Sequence, residues 1–195
     1  GIHLALNAIL NRRKEIVHAL AGEPVAVMRA GIPLLRALVE VEVPAPFDLV
    51  IASPGGYPKD INLYQAQKGL AHAARVTRTG GTVILVAACD EGTGSAAYEE
   101  WIAGVTSHQA VLERFAREPF RLGPHKAFQI ARDAIRLRVL FKSEMAPDFV
   151  RGLLLEPVSD LAATVWALAD ALPPDARIGV LTFANATVPV LRSPA

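Results

Sequence analysis

The sequence predicts an α/β fold: an open, mostly parallel sheet with helices on both faces, preceded by an N-terminal β-hairpin. Three observations predict it. Phe47–Ala52, with its apolar run Leu49–Ala52, and Thr82–Ala88 do not alternate, the pattern of strands buried on both faces. A helix-length segment separates them, so a right-handed crossover would set the two strands parallel. Ahead of both, Ile2–Ile9 and Glu15–Ala21 are strand-length apolar runs joined by a short polar turn.

The elements follow in order. After the hairpin, Pro24–Val41 reads as a helix: Pro24 suits its first turn, and Val25, Met28, Ile32, Leu35, Leu38 and Val39 recur at helical spacing. Gly31 and Pro33 predict a kink or break inside it. Pro44-Ala45-Pro46 links it to the strand Phe47–Ala52. The chain then turns sharply at Ser53-Pro54-Gly55-Gly56-Tyr57-Pro58. Asp60 or Asn62 can cap the next helix, Leu63–Thr77, with Gly80-Gly81 as its stop. Thr82–Ala88 is the clearest strand, and Cys89-Asp90-Glu91-Gly92-Thr93-Gly94-Ser95 leaves its C-terminal end as a second candidate site loop. Its GxG falls short of the three-glycine dinucleotide fingerprint. Ala96–Gly104 and Ser107–Arg117 read as helices with the apolar stripes Tyr98, Trp101, Ile102 and Val111, Leu112, Phe115. These aromatics are read as core. His125–Arg132 opens a further helix, and Arg136–Lys142 is a strand. Ala146–Arg151 is a turn or short helix, and Leu153–Leu155 a short strand. Ser159-Asp160 caps a helix through Ala171, and Arg177–Phe183 is the last strand. Beyond it Ala184–Pro189 trails off, and the final residues read as a tail.

Composition narrows the function. The 195 residues fit one domain, 1–195, with 52% hydrophobic content and a formal net charge of +1. No global field selects nucleic acid or a membrane surface. The only basic triple, Arg12-Arg13-Lys14, reads as a solvated turn. A single cysteine, Cys89, excludes an internal disulfide framework and a cysteine-rich metal cluster. No apolar run approaches the roughly 20 residues that span a bilayer. No basic-then-apolar leader is visible, so a cytoplasmic protein is expected. His3 and His18, alone in their strands, read as structural. The chain opens Gly1-Ile2-His3-Leu4, without methionine and directly in a strand pattern, and is read as an excised piece with a domain upstream.

The candidate site lies where the first central strand ends. A buried strand, a glycine-proline turn and a polar helix start mark the place where an open α/β sheet puts its ligand. Tyr64 and Lys68 are four apart and share a helix face with Gln65. A hydroxyl or amide beside an ammonium suits a small carboxylate or phosphate, and the helix start itself offers anion geometry. The plain alternative is a strand–turn–helix with a solvated helix face. At the later helix start, His125 and Lys126 sit where the dipole repels cations. They are paired, exposed or used on an anion, with a solvent-exposed helix cap as the plain reading of His125.

Asp48–Gly69 resembles the C-terminal domain of nickel-dependent lactate racemases and related 2-hydroxyacid racemases and epimerases. The residues that carry the resemblance are the strand, the Gly55-Gly56-Tyr57-Pro58 turn, the Asp60-x-Asn62 pair and Tyr64-Gln65-x-x-Lys68. Cys89-Asp90-Glu91-Gly92 and His125-Lys126-Ala127 are similar too. The resemblance covers most of the chain; its central motif is specific and its flanks are ordinary α/β sequence. It implies a two-domain enzyme with its site in the cleft. The N-terminal domain, absent here, would hold a nickel-pincer nucleotide through a lysine, with a histidine on the metal and two more as acid and base. A hydride would pass between the substrate's 2-carbon and that cofactor by way of a 2-keto acid. Tyr64, Gln65 and Lys68 would be substrate-binding, with Lys68 on the substrate carboxylate, and Gly55, Gly56, Tyr57, Asp60 and Asn62 would shape the cleft. No histidine of this chain inherits a catalytic role, and the chain alone is expected to be inactive and without metal or cofactor.

One departure bears on substrate. The resemblance implies a tryptophan, in lactate-specific members, near where His125 stands. His125-Lys126 makes that side more polar or cationic and points to a larger or more acidic 2-hydroxyacid. The expected partners are that substrate and the upstream domain, with no nucleic acid and no membrane. The competing readings are a non-catalytic α/β module that binds small acids and an unrelated nucleotide-binding domain; the latter lacks its fingerprint.

Overall fold

The computed structural model describes residues 1–11 and 13–192. They form two compact units, Gly1–Val41 and Glu42–Ala195.

In the first unit, β1 (Ala5–Leu10) pairs antiparallel with β2 (Ile16–Gly22), as expected. Asn11 closes the hairpin: its side-chain oxygen accepts from the amides of Arg13 at 2.9 Å and Glu15 at 3.0 Å. Asparagine does this because its amide can mimic a backbone turn. Arg12, the first member of the basic triple, lies outside the described residues. Helix α1 (Pro24–Val39) starts on Glu23, whose carboxylate accepts from Val25 and Ala26. The expected break is not there, and the helix runs through Gly31 and Pro33. Pro33 withholds a bond only from the carbonyl of Arg29, an exposed residue that water can serve. Gly31 admits Leu20, since a Cβ there would stand 3.1 Å from Leu20 Cδ1.

β3 (Glu40–Val43) straddles the boundary, and the second unit continues with β4 (Phe47–Ala52), α2 (Leu63–Ala74), β5 (Thr77–Val86), α3 (Ala96–Ile102), α4 (His108–Arg117), α5 (Pro124–Ala134), β6 (Arg138–Lys142), α6 (Pro147–Gly152), β7 (Glu156–Pro157), α7 (Leu161–Ala171), β8 (Ile178–Leu181) and β9 (Val188–Leu191). Five strands form one parallel sheet in the order β7-β6-β5-β4-β8, and β3 pairs with β9. Successive residues point to opposite faces, and both faces are covered. Val50, Ala52, Val83, Leu85, Val139 and Phe141 pack under α2, α3 and α5, with Tyr98 and Trp101 buried as read. Leu49, Ile84 and Leu140 pack under Leu161, Val165 and Leu168 of α7. Burial on both faces is why the middle stretches of these strands, Leu49–Ala52, Val83–Val86 and Val139–Phe141, are apolar without alternating.

Three readings need correcting. Gly80-Gly81 does not stop a helix: α2 ends at Ala74, and both glycines lie inside β5. A Cβ on Gly81 would stand 2.9 Å from the Asp48 carbonyl oxygen, where the β4–β5 register shifts, so close backbone approach requires glycine there. Leu153–Leu155 is not a strand; Leu153 closes α6 through the Phe149 carbonyl, and the strand begins at Glu156. After β8 the chain does not trail off but forms β9. The terminal residues 193–195, read as a tail, lie outside the described residues. Among the described residues no helix is long and apolar enough to cross a membrane.

Candidate functional site

Chain order and sheet order reverse between β4 and β8, so the crevice of this sheet lies beyond the ends of those two strands. The turn after β4 and the turn after β8 meet there. Ser53 N donates to Leu181 O at 2.8 Å, and Ala184 N returns to Ser53 O at 2.8 Å. Gly55 has a positive φ of 110°, and a Cβ there would stand 2.9 Å from Phe183 Cδ1. The contact and the left-handed backbone both demand glycine. Gly56, also left-handed at 73°, meets nothing that a Cβ would strike. Tyr57 stands 81% exposed before a cis bond to Pro58.

Helix α2 is fixed at its start by several contacts. The Asn62 side-chain oxygen accepts from Gln65 N at 3.1 Å and caps it. Leu63 N and Tyr64 N donate to the carbonyls of Gly92 and Thr93, each at 3.0 Å. The Asp60 carbonyl accepts from Cys89 N at 2.8 Å. The loop after β5 thus serves the first turn of α2 with backbone oxygens. This settles one open point: the first amides of α2 are taken and offer no anion site. The loop's own acids, Asp90 and Glu91, are exposed. Cys89 is buried, and burial, reinforced by Asp60 and Asp90, pushes its thiol up to about 12, so it is no nucleophile.

The side chains of α2 meet those of α5 instead. His125 Nε2 lies 3.5 Å from Tyr64 Oη, with the rings edge to face at 5.6 Å. Gly123 N donates to His125 Nδ1 at 3.2 Å. Lys126 is only 7% exposed. Its ammonium donates to Gln67 Oε1 at 3.1 Å and Gln129 Oε1 at 3.0 Å, and sits 4.6 Å from the Tyr64 ring centroid. Lys68 is exposed and donates to Gln65 Oε1 at 2.7 Å. Among the described residues no carboxylate stands within 4.0 Å of either ammonium. Burial, then the charge of Lys68, lowers the pKa of Lys126. Burial, then Lys126, lowers that of His125 against the Arg121 carbonyl, which raises it.

So the residues read as substrate-binding lie on the facing sides of α2 and α5: Tyr64 meets His125 and Lys126, and Lys68 meets Gln65. His125 is half-buried against Tyr64 and Phe120, not a solvent-exposed cap. The turn residues Gly55, Gly56 and Tyr57 share no hydrogen bond or ring contact with this cluster among the described residues, and Asp60 and Asn62 act on it through the start of α2. Sequence reasoning missed three groups. Gln67 and Gln129 stand three residues after Tyr64 and Lys126, a spacing that could have pointed to them. Asn185, just past β8, donates to Gln65 O at 3.1 Å and Lys59 O at 3.4 Å, tying the turn, the helix and the last loop together. Its place beyond a strand end was the available signal. A separate depression of about 410 Å³, lined by Asp90 and Glu144 among others, is acidic and unsuited to an anion.

The model of the lactate racemase C-terminal domain family matches residues 42–186. The lactate racemase of Thermoanaerobacterium thermosaccharolyticum is 26% identical over 180 residues, 90% of this chain and 42% of that protein. That of Lactiplantibacillus plantarum is 31% identical over 155 residues, 77% of this chain and 36% of that protein. The chain spans less than half the length of these curated relatives. The structure of the lactate racemase apoprotein from T. thermosaccharolyticum superposes with a TM-score of 0.86 at 24% identity, covering 98% of this chain and 46% of that one. A Thermotoga maritima protein superposes with a TM-score of 0.66 at 12% identity, covering 97% and 49%. These two likenesses speak to the fold: the parallel sheet, its helices and the N-terminal hairpin.

Proposed function

The chain belongs to the lactate racemase C-terminal domain family, and from that premise we propose that it is the substrate-side half of a cytoplasmic 2-hydroxyacid racemase or epimerase. The observation that best supports this reading is the pair of lysines beside Tyr64, neither matched by a carboxylate among the described residues, in a family named for an enzyme of a 2-hydroxyacid. Lys68, exposed and at the rim, takes the substrate carboxylate. Tyr64 and Gln65 fix its orientation, and His125 and Lys126 line the far side. A charge-assisted bond to the end of the substrate that does not react holds the 2-carbon in place, so binding energy serves positioning.

In this reading a nickel-pincer nucleotide, held by an N-terminal domain of the same protein, would supply the hydride exchange that inverts the 2-carbon of the acid. The residues here do not fit that group. The cluster offers amines, amides, a phenol and one imidazole, and among the described residues no three His, Cys, Asp or Glu gather as metal ligands. This chain's part is binding and orientation.

The test is the whole protein that carries this chain, followed by chiral chromatography of 2-hydroxyacids. Lys68→Ala removes a charge-assisted hydrogen bond worth about 1.5–3 kcal/mol, so turnover should fall roughly 10- to 100-fold while nickel content stays unchanged. Unchanged turnover would remove Lys68 from the carboxylate. The same cluster also suits a non-catalytic module that binds small acids, which predicts binding of the acid with no interconversion of enantiomers.

A further inference from the structure

Tyr64 of α2 and His125 of α5 face each other, and the backbone decides which of them donates. Gly123 N donates to His125 Nδ1 at 3.2 Å. An amide N–H can only donate, so Nδ1 receives it on a lone pair and carries no proton. The ring proton is then on Nε2, the nitrogen 3.5 Å from Tyr64 Oη. The Arg121 carbonyl, which favours a protonated ring, competes with that amide for the imidazole. Of the two, the Gly123 amide stands in hydrogen-bond geometry. With Nε2–H turned to it, Tyr64 Oη accepts from the histidine and keeps its own proton to offer. The Lys126 ammonium over the same ring, 4.6 Å from the centroid, is itself a donor and cannot take that proton. Tyr64 and His125 are both partly exposed, so a ligand can reach the hydroxyl.

Resting on the proposed function, we infer that His125 is a positioning residue that fixes Tyr64 as a donor, so that the Tyr64 hydroxyl donates a hydrogen bond to an oxygen of the acid held by Lys68. The Gly123 amide, the His125 ring, the Tyr64 hydroxyl and the acid form one chain in which each hydrogen bond polarises the next. Lys68, four residues after Tyr64 on the same helix, is a donor as well. The site therefore presents donors to a ligand whose carboxylate can only accept.

Two measurements on this chain test it. Long-range proton–nitrogen NMR of the imidazoles reads the tautomer of His125, whose signals are those missing from His125→Gln. A neutral ring protonated on Nε2 is expected, and one protonated on Nδ1 overturns the inference. Isothermal calorimetry with lactate then reads the coupling. Tyr64→Phe and His125→Phe should each weaken binding roughly three- to tenfold, the loss of one neutral hydrogen bond. The double variant should lose no more than either single one. His125→Gln, which keeps an N–H donor, should recover most of the loss. Losses that add, His125→Gln as weak as His125→Phe, or a wild-type chain that binds no lactate overturns the inference. The tautomer of the wild type decides even where a variant fails to fold. The racemase reading is measured separately, as interconversion of enantiomers by the whole protein. Interconversion with His125 protonated on Nδ1 overturns the inference and leaves that reading standing. The expected tautomer and coupling without any interconversion do the reverse, leaving His125 to position Tyr64 in a module that binds acids.

Discussion

Lys126 shows what a single position can and cannot disclose in a sequence. Its place at a helix start was legible, and the dipole argument required a reason for a cation there. Its burial was not legible, because that depends on how closely α2 and α5 pack, and Gln67 stands 59 positions away in the chain. Glutamines on a helix read as solvated until the partner helix covers them. The buried ammonium has a consequence for stability. Folding lowers the Lys126 pKa below its ordinary 10.5, so the folded chain holds fewer protons at this site than the unfolded chain between the lowered value and 10.5. Stability contributed by Lys126 must then rise with pH across that window. Urea unfolding of the wild type and of Lys126→Met at pH 7 and pH 10 checks the sign. The difference between the two should move in favour of the wild type at pH 10. A difference that stays flat, or moves the other way, would mean that folding does not disfavour the charged form.

Helix α2 is the element that turns the fold into a site, and most of what holds it was written locally. The apolar run Leu49–Ala52 of β4, the turn after it and the Asn62 cap were all visible, because each depends on neighbours in sequence. The rest depends on chain far away. Carbonyls of Gly92 and Thr93 serve its first amides, His72 Nδ1 sits 2.5 Å from the Ala184 carbonyl oxygen, and Asn185 holds the Gln65 carbonyl. For the same reason β9 and the true place of Gly80-Gly81 escaped notice: strand partners decide them. Asn62→Ala removes the cap and should cost about 1 kcal/mol in urea unfolding, whereas Asn62→Ser, which keeps an acceptor, should cost less. Because Tyr64, Gln65 and Lys68 all lie within the first two turns, Asn62→Ala should also weaken acid binding by the chain. A variant as stable as the wild type would show that the Gly92 and Thr93 carbonyls alone fix the helix start.

Stability is unevenly spread over the whole chain. Among the described residues of Gly1–Val41 only Ile9 and Val27 are buried apolar side chains, while Leu6 is 79% exposed, Ile16 66% and Met28 55%. The segment Glu42–Ala195 instead packs apolar side chains on both faces of a five-stranded sheet. The lactate racemase C-terminal domain match begins at residue 42, where this second unit begins. The two units should therefore open separately. In native-state hydrogen exchange of this chain, amides of β1, β2 and α1 should exchange through local opening. Those of β4, β5 and β6 should exchange only when the sheet unfolds. Peptides from 5–39 should label at least a hundredfold faster than peptides from 47–52 and 82–86, and mild urea should widen the range of residues in the fast class only within 1–41. Equal protection across the boundary would mean that the hairpin and α1 unfold as one with the sheet, and that the small core of Gly1–Val41 is not what sets its stability.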